Sequence, residues 1–472
     1  MGIELGLSRI ILLLKRLNNP HLTTWKAVHV SGTNGKGSIC SYISSILQSS
    51  SISSGKFTSP HLLSVTDSIM VNGKPLTKDS YERIKRKVKD VDHQFAINAT
   101  EFEVLTAVAF EAFREMRVKV AVIEVGLGGR YDSTNVLTAN SDTLKDKAND
   151  QGDYGVLVTG VANISKDHEN VLGNTIEAIA YQKAGIIKPQ VPCVVDGTNS
   201  GSVIEVIREE AKLKNSQLTV ADATNKQFLV DSHSGRTTTI DATSLSPLLG
   251  SYQAANLSVA FNIITQVRRQ LSHSKNPETR ALAQKITLTS IIKGIKDTKW
   301  PGRLQKLQLR NTTQSKLDIL LDGAHNVAAA HELQKYLQSS ISSKRKVALV
   351  VSMTASKDLP GVMAPILDSI KEVSSEFAIY LTNFDHTHGV EDMPWIKSYD
   401  CDLMKSEFEA LGVDTTNINI QKDVAKLFGK VLPEKMGGNQ EDWDIVVCGS
   451  LYLVSEVLRI HLANGGDIKD IY

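Results

Sequence analysis

The chain is predicted to be a two-part α/β protein: a larger N-terminal region on a mostly parallel sheet, then a smaller α/β region. Three observations carry that expectation. Near-continuous β-branched runs at 27–30, 118–125 and 155–164 read as strands buried on both faces, as in parallel sheets. Helical periodicity separates them, which is the alternation of βαβ units. The alternation breaks at 296–303, around Pro301-Gly302, and then restarts. Regions 1–298 and 299–472 follow from that break.

Along the chain, 3–17 reads as an amphipathic helix ending before Asn18-Asn19-Pro20, because proline disfavours helix in the residue before it. Strand 27–30 then gives way to Ser31-Gly32-Thr33-Asn34-Gly35-Lys36-Gly37-Ser38, followed by an apolar-periodic segment (Ile39, Tyr42, Ile43, Ile46, Leu47). Strand, tight loop, helix is the order in which backbone N–H groups and the positive end of a helix cradle a phosphate. Lys36 would bring a point charge to the terminal phosphates, and Ser38 a hydroxyl beside a metal ion. The loop departs from the G-x-x-x-x-G-K-[ST] pattern: Gly32 is two positions too close to Lys36, and Gly37 separates Lys36 from Ser38. A glycine-rich turn after a strand can also be only a turn.

Ser59 and His61 lie on a loop that Pro60 forces into an extended or turned path. Asn72-Gly73 marks a β-turn. A charged helix at 78–91 and a second, opening at Thr100 and running to Phe113, lead to strand 118–125. That strand carries Glu124 near its carboxyl end, just before Gly126-Leu127-Gly128-Gly129-Arg130. A carboxylate there, beside a phosphate loop, is where nucleotide enzymes hold Mg²⁺; elsewhere such a glutamate forms an ion pair or a cap. Residues 140–154 are polar and charged and are expected to form an exposed insertion. Strand 155–164 runs into Asp167-His168, where His168 is a candidate metal ligand or an ordinary loop histidine. Lys183 stands in an apolar stretch, from which an ordinary lysine would snorkel to the surface.

From 193 to 241 the pattern is a strand, a charged helix and a polar hairpin. A helix then starts within 248–256 and runs through Val259, Ile263 and Val267, and 272–278 reads as a surface loop. In the second region, strands at 317–321, 347–351, 377–382 and 444–447 predict a smaller, parallel, Rossmann-like sheet. Asp322-Gly323-Ala324-His325-Asn326 and Gly449-Ser450-Leu451-Tyr452 fall at carboxyl ends of these strands, where doubly wound folds place ligands.

Composition narrows the function. At 472 residues the chain exceeds one ordinary core, and 41% apolar with 22% charged residues is a globular composition. A net charge of +2 argues against nucleic acid or a membrane surface as partner; the Lys85-Arg86-Lys87 run reads as a solvated helix face. Four scattered cysteines with no C-x-x-C pair exclude a zinc or disulfide framework and suit a reducing compartment. The apolar run 10–14 is too short to span a bilayer and lacks a signal-peptide cleavage pattern, while Gly6 stands where a myristoylation signal wants Ser or Thr. A cytoplasmic location is expected, with a mitochondrial fraction left open.

Jointly, Ser31 to Ser38, Thr58-Ser59-Pro60-His61-Leu62, Glu124 to Arg130, Lys183-Ala184-Gly185-Ile186 and Asp322 to Asn326 resemble the folylpolyglutamate synthase/dihydrofolate synthase family. That family belongs to the ATP-dependent amide-forming ligases that include the Mur enzymes. The motifs occur in the family's order over nearly the whole chain, and 57–75 and 448–453 most resemble fungal dihydrofolate synthases. The resemblance implies a P-loop-containing ATPase domain over 1–298, a glutamate-ligase domain over 299–472, and a monomer. It implies that ATP activates the carboxylate of 7,8-dihydropteroate as an acyl phosphate, which the amine of L-glutamate attacks. By the same resemblance Gly32, Thr33, Asn34, Gly35, Lys36, Gly37 and Ser38 cradle the phosphates, and Ser59, Glu124 and His168 hold magnesium, with two ions expected. Asn256, Arg303 and Asp322 would contact ATP, and His325 and Ser450 the incoming glutamate. Lys183 sits where the family carries a carbamylated lysine; Lys36, Lys183 and His168 form the implied catalytic set.

Two departures bear on the substrate. Gln182 replaces a common family glutamate, and Val65-Thr66-Asp67-Ser68-Ile69 lacks the Arg and Glu that many members carry. The latter segment follows a loop that handles the pterin, so extension of tetrahydrofolate by a folylpolyglutamate synthase stays open. Two other classes compete: a P-loop NTPase or kinase without ligase activity, and a non-catalytic nucleotide-binding module. Phosphate release that requires both pteroate and glutamate excludes the first. Activity lost in Lys36→Ala and Glu124→Ala excludes the second.

Overall fold

The structure is a computed structural model that describes residues 6–22, 25–139, 154–222, 227–231, 237–241, 243–311, 313, 316–341, 345–355, 357–374, 376–384, 397–437 and 440–472. The chain divides into two compact units. The first comprises Met1–His61, Thr66–Pro247 and Gln253–Thr298; the second comprises Leu62–Val65, Leu248–Tyr252 and Lys299–Tyr472.

The first unit is built on eight strands: β1 (Lys26–Ser31), β2 (Ser54–Phe57), β3 (Ile69–Val71), β4 (Lys74–Pro75), β5 (Val120–Glu124), β6 (Gly155–Val161), β7 (Cys193–Asp196) and β8 (Leu218–Ala221). Their order is β4-β3-β2-β5-β1-β6-β7-β8, parallel from β2 to β8. β3 and β4 pair antiparallel around Asn72 and Gly73, both at positive φ, as a two-residue hairpin requires. β1, β5 and β6 are buried along their whole length, which their β-branched runs foretell. β1 lies between β5 and β6, so a topological switch point falls at its carboxyl tip. A separate two-stranded hairpin joins β9 (Gln227–Asp231) to β10 (Thr237–Asp241).

Several expectations change. The first helix is Ser8–Arg16, and positions 3–5 of its expected span lie outside the described residues. The expected insertion lies outside them too, apart from Tyr154, which is buried and belongs to the approach to β6. The loop expected at 272–278 shrinks to four residues between the helices Gln253–Ser272 and Pro277–Lys285, because Asn276 caps the second helix and Pro277 fits its first position. A further helix, Leu288–Lys296, opens on a Thr287–Ser290 capping box.

The second unit holds β11 (Gln305–Arg310), β12 (Lys316–Leu321), β13 (Lys346–Val351), β14 (Phe377–Leu381), β15 (Ile418–Ile420) and β16 (Trp443–Cys448), ordered β11-β12-β16-β13-β14-β15. Only the β11–β12 pair is antiparallel. β11 and β15 are edge strands too polar to stand out in the sequence. Both faces of the sheet are covered: Val347, Leu349 and Val351 pack on one side with the helix Leu359–Val373. Ala348 and Val350 pack on the other with Phe428 and the helix Leu451–Ala463. Leu62 and Leu63 pack on the second of these cores, and the Arg459 guanidinium donates to the Leu63 carbonyl at 2.7 Å. No helix among the described residues is long and apolar enough to cross a membrane.

Candidate active site

The loop after β1 has the backbone that a phosphate cradle needs. Gly35, at φ +92°, is the N-cap of the fourteen-residue helix Lys36–Ser49, so the helix begins at Lys36 itself. A side chain at Gly35 would strike Asn256 Oδ1, and one at Gly32 the Cβ of Ala162. Glycine is therefore required for the positive φ at Gly35 and for close approach at both positions. The loop is pinned to the tip of β6: the Thr33 N–H donates to Asn163 O (2.8 Å), Thr33 Oγ1 to Ser165 O (3.1 Å), and Asn34 Nδ2 to Ser165 Oγ (3.2 Å). Lys36 Nζ folds over the loop to Gly32 O and Thr33 O, both at 3.2 Å, and stands 3.9 Å from Glu124 Oε1. Gly37 and Ser38 are buried in the first turn. Gln253 Nε2 donates to Ser38 Oγ at 3.3 Å, and Asn256 Nδ2 donates to Gln253 Oε1 at 3.1 Å.

Glu124 is buried at the end of β5, directly beside Val30 of β1. The glycine turn behind it is threaded against the helix Ile176–Ala184: a Cβ at Gly129 would meet the carbonyls of Gln182 and Lys183, and the Arg130 N–H donates to Gln182 O at 2.7 Å. Lys183 does not snorkel outward. It is buried, Nζ donates to Gly32 O at 2.7 Å, and its carbonyl accepts from Ser31 Oγ at 3.0 Å. Burial, with the charge of Lys36 adding to it, lowers the Lys183 pKa to about 7.

The other first-unit candidates are more exposed. His168 caps the short helix Glu169–Leu172 at φ +54°, with its ring half exposed and 3.8 Å from Asp167 Oδ2. Ser59 is partly exposed, ahead of a cis Pro60. Among the described residues, no three His, Cys, Asp or Glu side chains converge on a metal position.

In the second unit, Asp322 follows β12 and is buried. Its two carboxylate oxygens accept the backbone N–H groups of Leu304 and Ala324, each at 2.8 Å. Burial raises its pKa, while Arg303 and those two donors pull it back. Arg303 lies against Gly323, where a Cβ would meet its Nη1. His325 Nδ1 donates to Gly323 O at 2.7 Å, and Ser450 Oγ accepts the Tyr452 N–H, capping the helix Leu451–Ala463. These residues sit at strand tips of the second sheet.

Sequence reasoning assigned no role to Gln253 or Ser165. Gln253 reaches Ser38 across 215 positions, and nothing local announces such a pairing.

The profile of the dihydrofolate synthetase C-terminal domain matches residues 305–460. Dihydrofolate synthetase of Saccharomyces cerevisiae is 39% identical over 467 residues, covering 98% of this chain and 99% of the yeast protein. The chain belongs to the folylpolyglutamate synthase/dihydrofolate synthase family. This family member is an ATP-dependent acid–amino-acid ligase. The probable dihydrofolate synthetase of Schizosaccharomyces pombe is 36% identical over 471 residues, covering 97% of this chain and 99% of that protein. Mycobacterium tuberculosis folylpolyglutamate synthase complexed with ADP and AMPPCP shares the fold at a TM-score of 0.71, with 24% identity over 98% of this chain and 96% of that one. The apo form of L. casei FPGS does so at 0.70, with 25% identity over 98% and 96%.

Proposed function

We propose that the protein is a dihydrofolate synthase, joining L-glutamate to 7,8-dihydropteroate at the expense of ATP to give dihydrofolate, ADP and phosphate. The observation that carries this reading is the end-to-end 39% identity to the yeast dihydrofolate synthetase. A carboxylate is a poor acyl donor. Transfer of the γ-phosphoryl to a carboxylate oxygen breaks the β–γ bridge, releases ADP and installs a leaving group. The glutamate amine then attacks the acyl carbon and gives up a proton, and the tetrahedral intermediate expels phosphate. In-line phosphoryl transfer asks the protein mainly for positioning and charge.

In this reading the first unit is the ATP-binding domain and the second the glutamate-ligase domain. The loop from Gly32 to Ser38 holds the phosphates, with Thr33 and Asn34 fixing its shape through Asn163 O and the N–H groups of Gly35 to Ser38 at the helix start facing the ligand. Lys36 leaves the carbonyls of Gly32 and Thr33 for the transferring phosphoryl. Asn256, Arg303 and Asp322 serve ATP; His325 and Ser450 serve glutamate. Glu124, with Ser59 and His168, would hold Mg²⁺: the buried Glu124 carboxylate and the Ser59 hydroxyl are oxygen donors of the kind this hard cation prefers, and His168 would complete the set from its loop. When bound, the ion neutralises charge on the phosphates. Lys183 is poised for carbamylation, because a neutral amine adds to CO₂ with loss of one proton. The product keeps an N–H for Gly32 O and turns a cation into an anion able to face a second ion. A monomer in the cytoplasm completes the reading; four buried free thiols support a reducing compartment.

A second acceptor is favoured by one relative: the Bacillus subtilis dihydrofolate synthase/folylpolyglutamate synthase is 29% identical over 472 residues. Purified protein with ATP, Mg²⁺ and labelled glutamate, offered dihydropteroate and tetrahydrofolate in parallel, decides between them. Label entering dihydrofolate with dihydropteroate alone is expected. Label entering only tetrahydrofolate polyglutamates would overturn the assignment.

A further inference from the structure

Lys56 is a lysine in the interior of the first sheet. It lies on β2, paired with Val122 of β5, and side chains two apart on a strand share a face, so Lys56, Val122 and Glu124 point the same way. The helix Lys36–Ser49 covers that face, and Lys56 Nζ donates to Ser41 Oγ of that helix at 3.3 Å. Its residue is 7% exposed. Burial lowers its proton affinity, while the nearby negative charges of Glu124 and Asp67 raise it. An apolar residue would fill a buried strand position at no electrostatic cost, whereas an ammonium there is tolerable only with charge partners.

Two lysines of different character thus share the surroundings of Glu124. Lys36, 3.9 Å away, sits on the phosphate loop, and its ammonium must turn to the nucleotide in the proposed reaction. Lys56 is rooted in the sheet and cannot follow. We infer that Lys56 is a positioning residue for the ligation, a fixed buried cation on the same sheet face that keeps the Glu124 carboxylate oriented while Lys36 engages the phosphates. The inference rests on the reading of Glu124 given under the proposed function.

The competing role is purely structural: Lys56 only balances Asp67. The double substitution Lys56→Met/Asp67→Asn separates the two, because it removes both members of that pair and leaves neither charge buried without the other. It is compared with Lys56→Met, Asp67→Asn and Glu124→Gln for melting temperature, kcat at saturating substrates, and calorimetric binding of AMPPCP over a Mg²⁺ titration. The double variant is expected to melt near the wild type, yet to lose about 100-fold in kcat, the scale of a displaced catalytic group. It should also need a higher Mg²⁺ concentration for AMPPCP binding, with Asp67→Asn nearly unaffected. Recovery of both stability and kcat to wild-type values in the double variant would overturn the role of Lys56. Wild-type turnover in Glu124→Gln would instead overturn the reading of Glu124 itself.

Discussion

Lys36 and Lys183 show how one residue's surroundings decide its chemistry. Lys36 spends its ammonium on two loop carbonyls and leans toward Glu124, an arrangement that a phosphoryl group can take over. Lys36→Ala is expected to lower turnover by about two to three orders of magnitude, the effect of deleting a donor aimed at developing charge, with circular dichroism unchanged. Near wild-type rates would contradict the phosphate-loop assignment. Lys183→Ala should recover part of its lost activity in acetate or formate, which stand in for a carbamate; absence of recovery at any concentration argues against carbamylation. Lys188 supplies a pH test away from these residues. It donates to Asn135 O and Oδ1, and burial, reinforced by Lys214, brings its pKa to about 7. Between that value and the ordinary lysine range the unfolded chain holds a proton at this position that the folded chain lacks, so the contribution of Lys188 to stability rises with pH across the window. The stability of the wild type relative to Lys188→Met should be flat below pH 7 and climb above it, measured by urea unfolding at several pH values.

Lys183 does not take the outward course of an ordinary lysine in such a stretch, for a reason that belongs to the same scale. Snorkelling needs an open path to water, and Lys183 is buried in a helix whose end packs against Gly129. The lysine is instead satisfied by a carbonyl 151 positions earlier in the chain.

At the scale of elements, strands and loops of the first unit were legible because their signals are local. The β-branched runs, the Asn72-Gly73 turn and the Thr100–Glu103 capping box each act within a few residues. Edge strands such as β15 were not, since a three-residue strand carries too little pattern and is fixed by its neighbour β14. Two glycines separate backbone conformation from packing. Gly294 of the helix Leu288–Lys296 lies against the backbone of Ile46, where a Cβ would come within 2.4 Å. Gly294→Ala should therefore overpack the contact and cost about 1–3 kcal/mol in urea unfolding, with AMPPCP affinity kept. Gly35→Ala, which meets both a positive φ and Asn256, should lose nucleotide affinity out of proportion to its effect on stability.

At the scale of the molecule, the two units are not two consecutive halves. Leu62–Val65 and Leu248–Tyr252 belong to the second unit, and Leu62, Leu63, Leu249 and Tyr252 pack on its cores. A fragment cut at 299 leaves those patches bare. It is expected to bind a hydrophobic dye and to melt below the second-unit transition of the full chain; a fragment as stable as the intact unit would show these segments to be dispensable. The neutral balance of the chain, +2 over 472 residues, fits substrates recognised by local charge rather than by a field spread over the surface.

What the amino-acid order settled by itself is everything that acts within a turn or a strand: the buried parallel strands, the glycine-rich loop between β1 and its helix, and carboxylates set at strand ends. Tertiary structure alone decided which charges were taken out of water and what they met there. Lys183 under Gly32, Gln253 on Ser38 and Lys56 on the face of Glu124 are all pairings made by strand order and helix packing. Periodicity reports which face of an element is buried, but the energy of a buried charge depends on neighbours that the chain brings together from far apart.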